Sequence, residues 1–197
     1  MDGTERTETL ILASRSPRRK ELLSRVGIPF EVDAPETDEA CSLPADQAVA
    51  ELSRRKAGAA ALLHPGRFIL AADTLVSLDG RVLGKPSSPE QAAAMLRALS
   101  GRTHQVYTGV TVRGPSGLCL TGVDCSGVTF CAVPEAEIDA YVRSGEPLDK
   151  AGAYGIQGRA ALWISRLEGS WSSVVGLPLY LVRSLLLEAG FPLIQPD

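Results

Sequence analysis

Residues 68–84 read FILAADTLVSLDGRVLG. Phe68 to Ala72 form an uninterrupted apolar run, the pattern of a strand buried on both faces in an α/β sheet. The run ends at Asp73 and Thr74. Beyond them Asp79-Gly80 stands between two further apolar runs, a hairpin signal, because both residue types tolerate the positive φ of a two-residue turn. The stretch therefore predicts a buried strand closing at Asp73, then a hairpin over 75–84. A carboxylate at the end of a buried strand is costly to desolvate unless it is paired, hydrogen-bonded or bound to a metal ion. There Asp73 can activate water or hold a divalent cation; it can also simply cap the following turn.

Upstream, TLILA (9–13) reads as a second buried strand. Ser16 suits an N-cap and Pro17 the first position of a helix, since its missing N–H would be unpaired there anyway. Leu22, Leu23 and Val26 give that helix an apolar face, and Gly27 suits its stop. A strand follows at 28–32, then an acidic loop, DAPETDEA (33–40), then a helix over 44–63 on the spacing Ala45, Val49, Leu52, Ala59, Leu63. Downstream, Ser88-Pro89-Glu90-Gln91 is a capping box for a helix to Leu99. VYTGVTV, LCLTGV and GVTFCAV read as three strands separated by glycines, Pro134 to Arg143 as a helix, and GEPLDKAGAYGIQG (145–158) as a polar loop. ALWISRLEG is strand-like, and a last helix is expected over 177–189. Strands and helices alternate irregularly, which predicts an α/β protein whose mixed sheet curls between two lobes.

The totals exclude several function classes. With 45% hydrophobic and 22% charged residues in 197, the composition is that of an ordinary globular protein with one sizeable core. The net charge of −3 gives no global basic field for nucleic acid, so any anion site must be local. MDGTERTET at the N-terminus is polar, and no apolar run approaches the length of a membrane span. Cys41, Cys119, Cys125 and Cys131 form no C-x-x-C pair and are expected as reduced core or strand residues. The expected compartment is the cytoplasm. His64 and His104, the two histidines, nearly exclude a His-based zinc site, so any metal should be a hard ion on oxygen, Mg²⁺ or Mn²⁺.

The segment ASRSPRRKELL (13–23) poses an electrostatic question: Arg18, Arg19 and Lys20 crowd the first turn of a helix, where the macrodipole favours acids. A strand running into a helix N-terminus presents backbone N–H groups to an anion, and the arginines can bind phosphate oxygens bidentately. Ser14 and Ser16 add hydroxyls. The alternative is a solvated basic patch. Lys56 falls on the apolar stripe of its helix, where lysines often snorkel, and Lys85 sits in a turn between Gly84 and Pro86. Glu36, Asp38 and Glu39 are either solvated charge or part of a metal site. Gln157 can read a base edge or pin a loop. Taken together, Arg18, Arg19, Lys56 and Lys85 around Asp73 form a polyanion clamp suited to metal-assisted phosphoanhydride hydrolysis.

ASRSPRRKELL (13–23), AADTLV (71–76), GKP (84–86), LSGRTHQVYTGV (99–110), GEPLDKAGAYGIQG (145–158) and VVGLPL (174–179) occur in this order. With these motifs the chain, from about residue 9 to 190, resembles the Maf family of nucleoside triphosphate pyrophosphatases. The resemblance implies an elongated mixed α/β fold with two lobes flanking a central cleft, one domain over 9–197 after a flexible segment at 1–8, and a homodimer as a common assembly. It also implies hydrolysis of a nucleoside triphosphate to the monophosphate and pyrophosphate with a divalent cation. By position it implies Asp73 as proton acceptor, Ser14, Ser16, Arg18, Arg19, Lys56 and Lys85 on the substrate, and Glu39 as the loop acid; two arrangements stay open, Asp73 and Glu39 sharing one metal ion or Asp73 acting as base alone. Arg18, Thr74 and Gln157 match the trio that marks the dTTP/UTP branch rather than the branch acting on 7-methyl-GTP. The family is also tied to arrest of septum formation, so a nucleotide-binding regulator is one alternative, and a pyrophosphatase acting on purine nucleotides or 7-methyl-GTP is the other. Arg55 and Ser173 depart from the pattern, which usually carries Glu and Asn there.

Overall fold

The computed structural model describes residues 8–193. The expected flexible segment at 1–8 lies, except for Glu8, outside the described residues. The elements run β1 (Leu10–Leu12), α1 (Pro17–Arg25), β2 (Phe30–Val32), α2 (Ala45–Leu63), β3 (Ile69–Leu78), β4 (Arg81–Leu83), α3 (Pro89–Leu99), β5 (Thr103–Arg113), β6 (Cys119–Phe130), α4 (Glu135–Arg143), β7 (Ile164–Glu168), α5 (Trp171–Val175) and α6 (Leu179–Glu188). The described strands form one seven-stranded mixed sheet ordered β2-β1-β3-β5-β6-β7, with β4 beside β3.

The 68–84 stretch holds the main correction. β3 does not close at Asp73 but continues to Leu78, ten residues in all. On one edge β5 accompanies it from Ile69↔Arg113 to Ser77↔Gln105. On the other edge, β1 pairs in parallel only as far as Leu12↔Leu70, and β4 pairs antiparallel only from Val76↔Leu83 onward. Between these partners the edge of β3 is bare, and Asp73 and Thr74 lie in that gap. The strand persists through a carboxylate because β5 satisfies its backbone on one side and, as described below, a lysine pairs the side chain. The Asp79-Gly80 hairpin forms as expected, with φ of 49° and 77°.

Other differences have similarly local causes. LCLTGV and GVTFCAV are one twelve-residue strand, β6, so the region holds two strands and not three. Its Gly122 is not a break: a Cβ there would stand 2.7 Å from Leu181 Cδ1, so the glycine lets α6 approach the sheet. The polar loop at 145–158 contains 3-10 turns at Glu146–Asp149 and Ala151–Ala153. The last helix begins at Leu179, after a short α5 that the periodicity does not signal. None of the four cysteines is buried; all are free thiols.

Two separate cores sit at the two ends of the long strands. At one end Leu10 and Leu12 of β1, Leu22 and Leu23 of α1, Leu70 and Ala72 of β3, and Val182 and Leu186 of α6 pack together, closed by an edge-to-face Phe68–Phe191 pair at 5.2 Å. At the other end Val76 and Leu78 of β3 pack with Leu96 and Leu99 of α3, Phe130 of β6, and Ile138 and Tyr141 of α4. α3 opens as its capping box predicts at one bond, Gln91 N–H donating to Ser88 Oγ. The return bond shifts by one residue, because Gln91 Oε1 accepts from Ser87 N–H. α2 lies on the opposite face, with Ala57 and Ala60 on Ile11, Ile69 and Ala71. The two cores are the two lobes, and the bare stretch of β3 lies between them.

Candidate active site

A cleft of about 1110 Å³ opens over that bare stretch. Every site residue named from the sequence lines it: Ser14, Ser16, Arg18, Arg19, Glu39, Lys56, Asp73, Thr74, Lys85 and Gln157.

Asp73 and Thr74, being consecutive in a strand, point to opposite faces. Asp73 shares the α2 face with Ile69 and Ala71, and there Lys56 Nζ meets Asp73 Oδ1 at 2.6 Å. The same ammonium holds Glu39 Oε1 at 2.7 Å. Lys56 thus does not snorkel to solvent from the apolar stripe of α2; it bridges two carboxylates, with only 17% of its side chain exposed. The hydrogen bond from Lys56 holds the Glu39 carboxyl below its ordinary range, against a smaller opposing effect of burial, and the charges of Lys56, Lys85 and Arg19 add to it. The solvated alternative for the acidic loop therefore holds for Asp38 and Glu36 but not for Glu39: Glu36, mostly exposed, pairs loosely with Arg15 at 3.8 Å.

α2 reaches this position through two devices. Gly109 of β5 is the direct strand partner of Asp73, and a Cβ on it would stand 2.3 Å from the Val49 carbonyl oxygen, so only glycine lets α2 lie this close. Ser53 Oγ, buried, then meets Thr111 Oγ1 at 2.8 Å, and Thr111 meets Thr121 Oγ1 at 3.0 Å, which fixes the helix in register on the sheet.

Thr74, on the other face, belongs to the phosphate-loop side. Arg19 donates from Nε to the Gly176 carbonyl at 2.7 Å, from one terminal nitrogen to Ser14 Oγ at 3.0 Å, and from the other to Thr74 Oγ1 at 3.2 Å. Three of its five N–H groups are thus committed to neutral protein acceptors. Burial pulls this guanidinium below its ordinary value, with the charge of Asp73 acting in the opposite sense. Ser16 occupies the N-cap position of α1 but makes no side-chain cap bond; its N–H donates to Ser14 Oγ instead, at 3.3 Å. Arg18 extends further into the cleft and meets Asp149 Oδ2 at 3.7 Å. Lys85 is exposed and makes no hydrogen bond or ion pair among the described residues.

Sequence reasoning assigned no role to Asp149 and Lys150 in the GEPLDKAG segment, or to Thr108 and Ser173. Lys150 Nζ donates to Asp149 Oδ1 and to the Glu146 carbonyl, each at 2.6 Å. Burial pushes Asp149 upward, but the bond and charge of Lys150 and the charge of Arg18 outweigh it and leave the carboxyl below its usual range. Glycine spacing was the available signal: a Cβ on Gly155 would stand 2.9 Å from the Lys150 side chain, and one on Gly158 would overlap the Glu146 carboxylate.

The model of the family described as Maf-like protein matches residues 9–189, and the chain belongs to that family. A relative named dTTP/UTP pyrophosphatase from Moorella thermoacetica is 52% identical over 187 residues, covering 92% of this chain and 95% of that protein. One of the same name from Deinococcus radiodurans is 50% identical over 193 residues, covering 94% and 95%. Among solved structures, the Staphylococcus aureus Ham1 protein superimposes with a TM-score of 0.55 over 92% of this chain and 99% of that one, at 16% identity. That likeness supports the two-lobed α/β fold.

Proposed function

We propose that this chain is a nucleoside triphosphate pyrophosphatase acting on dTTP and UTP, releasing the monophosphate and pyrophosphate. The observation that carries the reading is the Lys56–Asp73 pair, set in the gap of the sheet with cations from both lobes around it. The names of relatives about half identical over nearly the whole chain support the substrate class.

In this reading Arg18, Arg19 and Lys85 hold the triphosphate across the cleft and neutralise the charge that gathers on the leaving pyrophosphate. Lys56 holds Asp73 Oδ1, so the carboxylate is fixed in orientation and its Oδ2 is left to receive a proton. Water attacks the α-phosphorus, its proton passes to Asp73, and the bridging α–β P–O bond breaks with its electron pair going to pyrophosphate. Glu39 and Asp73 together offer hard oxygen donors, while no group of three or more His, Cys, Asp or Glu side chains suited to a metal exists among the described residues. Such a pair fits Mg²⁺ or Mn²⁺, ions that take phosphate oxygens and water for the rest of their shell. When bound, the ion would add charge neutralisation on the phosphates. Arg18, Thr74 and Gln157 are the proposed specificity residues, and nucleotide-pool housekeeping in the cytoplasm is the proposed role. No helix among the described residues is long and apolar enough to cross a membrane.

The test is pyrophosphate release across dTTP, UTP, CTP, GTP, ATP and 7-methyl-GTP with Mg²⁺ or Mn²⁺, beside Asp73→Asn. Release from dTTP and UTP that the variant abolishes supports the reading; release from no triphosphate, or full activity in Asp73→Asn, overturns it.

A further inference from the structure

Thr74 lines the cleft, and the fate of its single proton can be read from its neighbours. Behind it, in direct register on β5, lies Thr108, which is wholly buried. Thr108 Oγ1 stands 2.9 Å from the Ser173 carbonyl oxygen and 2.9 Å from Thr74 Oγ1. A carbonyl can only accept, so the Thr108 proton goes to Ser173; two oxygens at that distance with no proton between them would repel. The Ser173 carbonyl is itself fixed, accepting the Gly176 N–H at 2.9 Å. Thr108 must then accept from Thr74, and Thr74 spends its only proton inward. Arg19 occupies one lone pair of Thr74 from the side. The result is a one-way series, Arg19 to Thr74 to Thr108 to the Ser173 carbonyl, in which each bond polarises the next.

What Thr74 still offers the cleft is a lone pair without a proton. Phosphate oxygens at neutral pH are acceptors and cannot use it. A ribose 2′-hydroxyl is absent from deoxynucleotides, and the 3′-hydroxyl, a donor that UTP, CTP and dTTP all carry, cannot tell one base from another. The donor that uracil and thymine share is the imide N3–H; cytosine carries an acceptor at that position. We propose that Thr108 is a positioning residue which, through the Ser173 carbonyl, makes Thr74 an obligate hydrogen-bond acceptor, and that this polarity selects pyrimidines bearing an imide N–H over cytosine. The inference rests on the pyrophosphatase reading above.

The test is kcat/KM for UTP and CTP in the wild-type protein, Thr108→Val and Thr108→Ser. Valine keeps the volume but frees the Thr74 proton to turn toward the cleft and meet cytosine N3. The UTP-to-CTP ratio should fall by about tenfold or more in Thr108→Val and stay near the wild-type value in Thr108→Ser, which retains the hydroxyl. A merely structural role would lower both activities and leave the ratio alone, and an unchanged ratio in folded Thr108→Val overturns the proposal. Independently of any variant, wild-type protein should use N3-methyl-UTP at least about tenfold less well than UTP; equal use overturns it. Release from neither UTP nor dTTP in the wild type removes the pyrophosphatase reading and this one together, whereas normal release with an unmoved ratio removes this one alone.

Discussion

Lys56 Nζ lies 2.6 Å from Asp73 Oδ1 across the interface between α2 and β3, and 2.7 Å from Glu39 Oε1 on the loop above. One ammonium therefore positions both carboxylates of the site. Replacing Lys56 by Met keeps the stem that packs on α2 and removes the charge. We expect kcat/KM for UTP to fall by about a hundredfold or more, measured as pyrophosphate release. A loss under about threefold would mean that the lysine only neutralises a buried acid.

The two arginines of the phosphate loop should separate in their effects. Arg18→Ala removes a side chain whose one protein partner is a loose ion pair, so substrate affinity should drop about tenfold with little change in melting temperature. Arg19→Ala leaves the Gly176 carbonyl and the Thr74 hydroxyl without a donor, while Ser14 Oγ keeps the Ser16 N–H, and should cost about 2–4 kcal/mol of stability. Paired thermal melts and titrations with a non-hydrolysable triphosphate distinguish the two.

Gly109→Ala tests whether the α2 approach matters to the site. The added methyl would meet Val49 backbone, which cannot rotate away, so the helix must lift. We expect a loss of at least about 1–3 kcal/mol together with a fall in kcat, because Lys56 rides on the same helix. A stable but inactive variant would place the effect on the Lys56–Asp73 distance.

His104 gives a pH signature. It is fully buried in the second core, its Nε2 2.7 Å from the Tyr154 hydroxyl and its Nδ1 without a hydrogen-bond partner among the described residues. Burial lowers its pKa from 6.5 to about 4. In that window the unfolded chain binds a proton that the native chain refuses, so stability decreases as pH falls from about 6.5 to about 4. The slope should approach ~1.4 kcal/mol per pH unit from this residue alone. Denaturant melts at pH 7, 6, 5 and 4.5 should show it, and His104→Phe should flatten it even if its stability at pH 7 is lower.

Element types were legible where periodicity and caps speak locally: the β1–α1 junction at Ser16-Pro17, the Asp79-Gly80 turn, and the Ser88 cap of α3 all stand where the sequence puts them. The continuation of β3 through Asp73 was not legible, because a carboxylate inside a strand is tolerated only when a distant partner exists. That partner, Lys56, lies 17 residues upstream in a different element. Gly122 misled for a related reason. A glycine inside a strand looks like a break until the side chain it makes room for, Leu181, is known. The site residues came from chemistry joined to a family resemblance, while Thr108 stayed silent because a buried threonine in a β-rich stretch reads as strand and nothing more.

The bare edge of β3 also separates two cores that share the same long strands. Arg18 belongs to the lobe of α1 and Lys85 to the lobe of β4, and the long strands β3, β5 and β6 run through both. A triphosphate held by both side chains would therefore act as a removable crosslink between the two lobes. Saturation with a non-hydrolysable analogue at a hundred times its Kd adds about 2.7 kcal/mol by mass action. The protection it confers against amide exchange should reach the cores of both lobes, well beyond the residues it touches.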